Sequence, residues 1–149
     1  MSLDTDTALL RAVHNNHLSC VKILIENGAD TTILTNVGAS VLNRAAWGSS
    51  GVMKFLLSMV ETRKLINGGD DAGYTALHDC SYKSHQSPTV QLENAKMLLQ
   101  AGASLTIKNQ GGETPYECAR NLGRNELAKF LWSQLSPEQQ AQQNPPPSD

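Results

Sequence analysis

Apolar side chains fall along this chain in small clusters, three and four residues apart. Leu9, Ala12 and Val13 make one, and Leu18, Val21, Leu24 and Ile25 the next. The spacing returns at Leu42, Ala45 and Ala46, then at Met53, Leu56 and Leu57. It returns again at Leu77 and Cys80, at Ala95, Leu98 and Leu99, and at Leu127, Phe130 and Leu131. A period near 3.6 puts each cluster on one helix face. The pattern predicts helices near residues 8–15, 18–27, 41–47, 51–59, 76–82, 91–100, 115–121 and 124–133. These helices come in pairs. A hydroxyl residue opens each pair, at Thr7, Ser40, Thr75 and Thr114, where it can accept a bond from a free amide of the first turn. The cap positions are 33, 35 and 39 residues apart. A recurrence near that length marks a solenoid of stacked units.

Polar punctuation separates the helices. Gly28 and Gly102 supply left-handed C-terminal turns. Leu65-Ile66-Asn67-Gly68-Gly69 and Asp70-Asp71 read as hairpin. Thr114-Pro115-Tyr116-Glu117 carries a hydroxyl cap, a proline at the first helical position and a glutamate that completes a capping box. Two units are irregular. Ser58 to Lys64 is about three residues longer than its counterpart, which predicts a second helix that runs on by a turn. Ser84 to Val90 adds about six residues. Its polar residues and Pro88 predict a dispensable loop, with the next helix starting near Gln91. Ser87-Pro88 also has the form of a proline-directed phosphorylation site. Ser136 to Asp149 is rich in Gln and Pro. Ser136-Pro137-Glu138-Gln139 could start a helical turn, but the stretch reads as a disordered tail.

Gly73-Tyr74-Thr75-Ala76-Leu77-His78, Val21-Lys22-Ile23-Leu24-Ile25 with Gly28-Ala29-Asp30, and Ala95-Lys96-Met97-Leu98-Leu99 with Gly102-Ala103-Ser104 resemble the ankyrin repeat. The resemblance implies an all-α solenoid of stacked helix-turn-helix units joined by short β-hairpin loops. Its repeats fall at about 3–34, 35–69, 70–108 and 109–133, inside a domain of residues 1–135. It implies that His78 bonds back to the cap of its helix. Leu10 holds the histidine position of the first repeat, a departure that leaves that end of the stack less polar. The resemblance also implies a non-catalytic protein-binding module, whose partner meets the hairpin tips and the exposed ends of the first helices. The corresponding residues are Asp6, His14 and Asn15, then Val37, Arg44 and Trp47, then Tyr74, Asp79, Tyr82 and Lys83, then Glu113 and Asn121. Trp47 and Tyr82 hold equivalent slots about 10 Å apart, a helix diameter. Both are expected free of the core, as one aromatic patch rimmed by Arg44, Asp79 and Lys83. Alternative readings are a fragment of a larger enzyme or signalling protein, and a small inhibitor of a kinase or transcription factor.

Composition narrows this picture. The formal charge is −2, which gives no electrostatic pull toward nucleic acid or an anionic membrane. No apolar run reaches the length of a membrane span, and no charged-then-apolar leader opens the chain. Three unclustered cysteines, Cys20, Cys80 and Cys118, favour reduced thiols in an intracellular, monomeric protein. Cys20 and Cys118 read as core or half-core. His14-x-x-His17 could place two imidazoles on one helix face, but no third metal ligand stands beside them. Cys80 beside His78 and His85 could suggest a nucleophile pair, yet it occupies a buried small-residue slot where a thiol is inert. Phosphate-loop, nucleophile-elbow and dinucleotide motifs are absent from the sequence, so no cofactor is expected.

Overall fold

The computed structural model describes residues 7–48, 50–82 and 87–146. Its helices run α1 Ala8–His14, α2 Leu18–Glu26, α3 Val41–Ala45, α4 Ser50–Leu57 and α5 Val60–Arg63. They continue α6 Ala76–Asp79, α7 Pro88–Gln100, α8 Pro115–Asn121, α9 Asn125–Gln134 and α10 Pro137–Ala141. First helices α1, α3, α6 and α8 pack successively into one layer. Second helices α2, α4, α7 and α9 pack successively into the other. Leu9, Val13, Leu42, Met53, Leu56, Leu77, Leu98, Leu127 and Leu131 fill the space between the layers and are fully buried. The fold is an all-α solenoid, and among the described residues no β-strand is present.

The cap residues set the register of the stack. Thr7, Ser40, Thr75 and Thr114 each accept from a first-turn amide of their helix. Three residues after each cap stands Leu10, Asn43, His78 or Glu117. The three polar ones complete capping boxes by accepting from the cap's own backbone amide. Two of them also reach the following repeat. Asn43 Nδ2 donates to the Tyr74 carbonyl at 3.1 Å, and His78 Nε2 donates to the Glu113 carbonyl at 2.9 Å. Those carbonyls occupy equivalent places, each just before a cap. One side chain therefore ends its own helix and fixes the height of the next. Glu117 has no donor hydrogen when ionised, so it cannot make the same bond.

The hairpin tips are tied in the same direction. Thr35, Asp70 and Asn109 each take the backbone bond that closes a five-residue tip. Their side chains accept from amides inside that tip. Asp71 N donates to the Val37 carbonyl and Gln110 N to the Ala72 carbonyl, both at 2.9 Å. The fourth tip residue is glycine at φ 76°, 82° and 80° (Gly38, Gly73, Gly112). A Cβ on Gly73 would lie 3.0 Å from Asn109 Cα, so the close approach of the next tip also requires glycine.

The structure corrects several expectations. The second helix of repeat two does not run on. It stops at Leu57, and Val60–Arg63 forms a separate turn of helix. The buried Thr62 hydroxyl donates to the Leu56 and Met59 carbonyls and folds that turn back onto α4. The second helix of repeat three begins at Pro88, not Gln91. Ser87 is its cap, accepting from Val90 N at 3.2 Å. Residues 84–86 of the expected loop lie outside the described residues, while Ser87 caps the helix and Pro88–Val90 form its first turn. Cys20 is exposed, not core. Leu10, at the histidine position of the first repeat, is buried in the core at 1% exposure.

The expected disordered tail is also corrected through residue 146. Ser136 starts α10 with a capping box to Gln139, as the four-residue pattern allowed. The chain then lies back on the fourth repeat. The Thr114 hydroxyl donates to Gln143 Oε1 at 2.6 Å, the Tyr116 hydroxyl to the Asn144 carbonyl at 2.5 Å, and Arg120 Nε to the Pro145 carbonyl at 3.1 Å. Polar composition does not preclude order when side chains of the neighbouring repeat supply the hydrogen bonds.

Candidate functional site

The exposed ends of the first helices carry most of the residues singled out from the sequence. At the junction of repeats one and two, His14 meets Trp47 edge-on with ring centroids 6.1 Å apart. The Arg44 guanidinium lies 5.1 Å from the Trp47 ring centroid and donates to His14 Nδ1 at 3.4 Å. A cation over an indole at a partly exposed site contributes about 0.5–1 kcal/mol. Trp47 is half-buried, so this packing holds the ring while part of it faces solvent.

A second aromatic group stands on repeat three. Tyr74 and Tyr82 pack edge-to-face at 5.1 Å, with their hydroxyls 2.9 Å apart. That bond raises the Tyr74 hydroxyl above the usual phenol range. Tyr74 also packs edge-on against His78 at 5.7 Å. Tyr82 is 43% exposed. Ring contacts pair Trp47 with His14 and Tyr82 with Tyr74.

Asp79 lies beneath the two groups and not on their rim. It is buried at 4% exposure, and its Oδ2 accepts from Asn43 Nδ2 at 2.6 Å. Burial pushes its carboxyl up to about 7. The Asn43 bond, Trp47 and Arg44 act against that shift, and the nearby Asp70 adds to it. Asp79 therefore joins α6 to the α3 side chains that present Trp47. It was expected outside because α6 is so short that its rotation relative to α3 is not written locally. Asn43 was missed altogether. Its signal was available, because it stands three residues after cap Ser40, where His78 follows Thr75.

Glu113 and Asn121 form a third, polar station. Glu113 Oε2 accepts from Asn121 Nδ2 at 2.6 Å, and its Oε1 accepts from Asn109 Nδ2 at 3.2 Å. These bonds, Asn121 first, hold the Glu113 carboxyl below the usual carboxylate range. Val37 is exposed at the second hairpin tip, and Asn15 is exposed at the end of α1. Asp6 and Lys83 lie outside the described residues.

The chemistry of these groups is that of binding. His78 uses both ring nitrogens. Nδ1 accepts from Thr75 N at 3.1 Å, and Nε2 carries the hydrogen given to Glu113. That pattern assigns the neutral tautomer, and burial lowers the pKa in agreement. Burial also raises the Cys80 thiol well above its usual value and the Cys118 thiol to about 12. Thiols so disfavoured as thiolates are poor nucleophiles. Among the described residues no three His, Cys, Asp or Glu side chains converge as metal ligands. Among the same residues no helix is long and apolar enough to cross a membrane.

Comparison with known proteins agrees with this geometry. A profile described as three copies of ankyrin repeats matches residues 1–66, and a single ankyrin-repeat profile matches residues 72–110. Diacylglycerol kinase iota of Mus musculus is 30% identical over 129 residues, covering 86% of this chain and 12% of that protein. Ankyrin repeat and SOCS box protein 16 of Mus musculus is 31% identical over 105 residues, covering 66% of this chain and 22% of that protein. Cyclin-dependent kinase 4 inhibitor B of Mus musculus is 27% identical over 128 residues, covering 85% of this chain and 92% of that protein. The chain spans about an eighth of the length of diacylglycerol kinase iota. Caps, paired helices, hairpin tips and profile matches coincide, and the chain belongs to the ankyrin-repeat family.

Proposed function

We propose that this chain is a non-catalytic protein-binding module, whose partner docks across the hairpin tips and the exposed ends of the first helices. The observation that carries the reading is the pair of preorganised aromatic groups. His14, Arg44 and Trp47 form one, and Tyr74 and Tyr82 the other, over the buried Asn43–Asp79 bond. Aromatic side chains held rigid on a scaffold are what interface hot spots are made of. Val37 at one tip, and Glu113 with Asn121 at the last repeat, extend the surface to both sides. Asp6, Asn15 and Lys83 complete it. The protein acts as a monomer and needs no cofactor. Three free cysteines, two of them buried and protonated, suit a reducing intracellular compartment.

A second reading has support of its own. The near-complete coverage of cyclin-dependent kinase 4 inhibitor B favours a small inhibitor acting by occlusion. The small share of diacylglycerol kinase iota that is matched favours a repeat segment that serves a larger enzyme. Both use the same surface.

The test is a Trp47→Ala/Tyr82→Ala double variant, with hydrogen-exchange footprinting of the wild-type complex. Partner affinity should fall about tenfold or more, with stability changed by less than about 1 kcal/mol for each substitution. A footprint confined to the second-helix layer, or full affinity in the double variant, removes the proposal.

A further inference from the structure

The opposite layer carries a feature that the first-helix surface does not use. Where α4 and α7 lie side by side, a trough follows their seam. One stretch, a shallow depression open to solvent, has a volume of about 500 Å³ beside Lys54, Leu57, Arg63, Met97 and Ala101. The next, about 410 Å³, shares Lys54 and Met97 and continues past Lys96 and Glu93. Leu57, Met97 and Ala101 are half-buried and make an apolar floor. Lys54, Arg63 and Lys96 are exposed and make a cationic rim. The whole chain carries −2, so three cations against the one carboxylate of Glu93 reverse its sign locally.

The irregularity of repeat two builds one end of this trough. Arg63 is the last residue of α5, the extra turn after α4. A solvated extension would leave its middle residue in water. Here Thr62 is fully buried and donates to the carbonyls of Leu56 and Met59. The wall that presents Arg63 is therefore fixed before any ligand arrives. On the other side, Lys96 lines the second stretch, and its ammonium stands 5.5 Å from the ring centroid of Phe130 on α9.

We propose that this seam is a docking surface for an acidic amphipathic segment of a partner protein. One or two apolar side chains of the segment seat on Leu57, Met97 and Ala101, and its carboxylates face Lys54, Lys96 and Arg63. From Glu93 to Ala101 the seam is about 12 Å long, room for two helical turns or about four extended residues. A nucleic-acid backbone has nothing to place on the apolar floor and meets Glu93 with the wrong charge. The rim charges are solvent-exposed, so the attraction is screened and binding weakens with salt. This surface is separate from the first-helix face and does not depend on its function.

The test is panning of a random 12-residue peptide display library on the full chain. Clones that also bind a Lys54→Glu/Arg63→Glu variant are subtracted. Retained peptides should carry two or more Asp or Glu beside a large apolar residue. Their affinity should fall about tenfold or more in that variant and more weakly in Lys54→Gln/Arg63→Gln. It should stay unchanged in Trp47→Ala. Circular dichroism melts should match wild type, because neither cation is buried. Retained peptides without acidic bias, an empty retained pool, or undiminished affinity in Lys54→Gln/Arg63→Gln overturn the proposal. So does variant-sensitive binding to phosphatidylserine vesicles with no acidic peptide selected, which would make the trough a lipid surface.

Discussion

The two ends of the stack are closed to different degrees. At the last repeat, α10 and the chain to Pro146 lie over α8, and Tyr116 beneath them is fully buried. At the first repeat no described residue covers the outer side of α1 and α2. An apolar groove of about 380 Å³ runs there between Ala8, Ala12, Cys20, Ile23 and Leu24. The internal joints differ in the same sense. Repeats two to three and three to four are pinned by Asn43 and His78, which donate to carbonyls across the joint. At the same position repeat one has Leu10, which has nothing to donate. In a solenoid each unit is stabilised by its neighbours, so the quality of a joint or cap sets where unfolding begins. This contrast makes the first repeat the weak end.

The largest expected effect comes from removing the better closure. Deleting residues 136–149 takes away four side-chain hydrogen bonds to the fourth repeat and uncovers Tyr116. At about 1 kcal/mol per bond, stability should drop by about 4 kcal/mol, read from the urea midpoint. A change below about 1 kcal/mol would mean that the segment decorates the last repeat without closing it.

Next comes a substitution that gives a pinned joint the chemistry of the weak one. His78→Leu copies Leu10 into the third repeat. It removes the bond to the Glu113 carbonyl and leaves the buried Thr75 amide without its acceptor. The cost should be about 2 kcal/mol. Hydrogen exchange should then accelerate in the fourth repeat more than in the first. Uniform acceleration would argue that the stack unfolds as one unit and that its joints are not graded.

The origin of these joints shows what the sequence made legible. Helices, caps and register could be read directly, because a hydroxyl followed by helical apolar spacing acts within a few residues. The paired role of Asn43 and His78 was half visible, since the cap-plus-three spacing repeats in both. The burial of Asp79 was not. It depends on Asn43, 36 positions away, and on a helix of one turn. The ordered segment after Ser136 was not legible beyond its capping box. Two of its bonds are made by backbone carbonyls accepting from Tyr116 and Arg120, which any sequence could offer, and the two made by Gln140 and Gln143 span 8 and 29 positions. In the candidate site, the residue types were legible, but the ring pairs they form, His14 with Trp47 and Tyr74 with Tyr82, required the structure.

Asp79 supplies the next prediction, a pH dependence of the joint between repeats two and three. Its folded pKa, about 7, lies above its ordinary value of 3.8. Between those values the folded chain holds a proton that the unfolded chain has released. The stability contributed by this group is complete below about pH 4 and is lost as pH rises through about 7. His78 acts in the opposite sense. Its lowered pKa favours the fold above the ordinary 6.5 and less so below. Asp79→Asn isolates the first contribution while leaving an acceptor for Asn43. The variant should gain on wild type by about 1–2 kcal/mol between pH 5 and 8. A flat difference across that range would mean that Asp79 stays ionised in the fold.

The smallest effect belongs at the open end. Ile23 is 57% exposed on α2, so replacing it buries nothing new and opens no cavity. Lysine is also the better helix former at an exposed position. Ile23→Lys should therefore change stability by less than about 0.5 kcal/mol, while reducing the apolar character of the groove beside Cys20 and Leu24. A loss above about 1 kcal/mol would show that something in the protein covers this end, and the contrast between the two ends would disappear. If stability is unchanged and the melt becomes more reversible at high concentration, the groove is exposed apolar surface, and association at that end is what the wild-type protein risks.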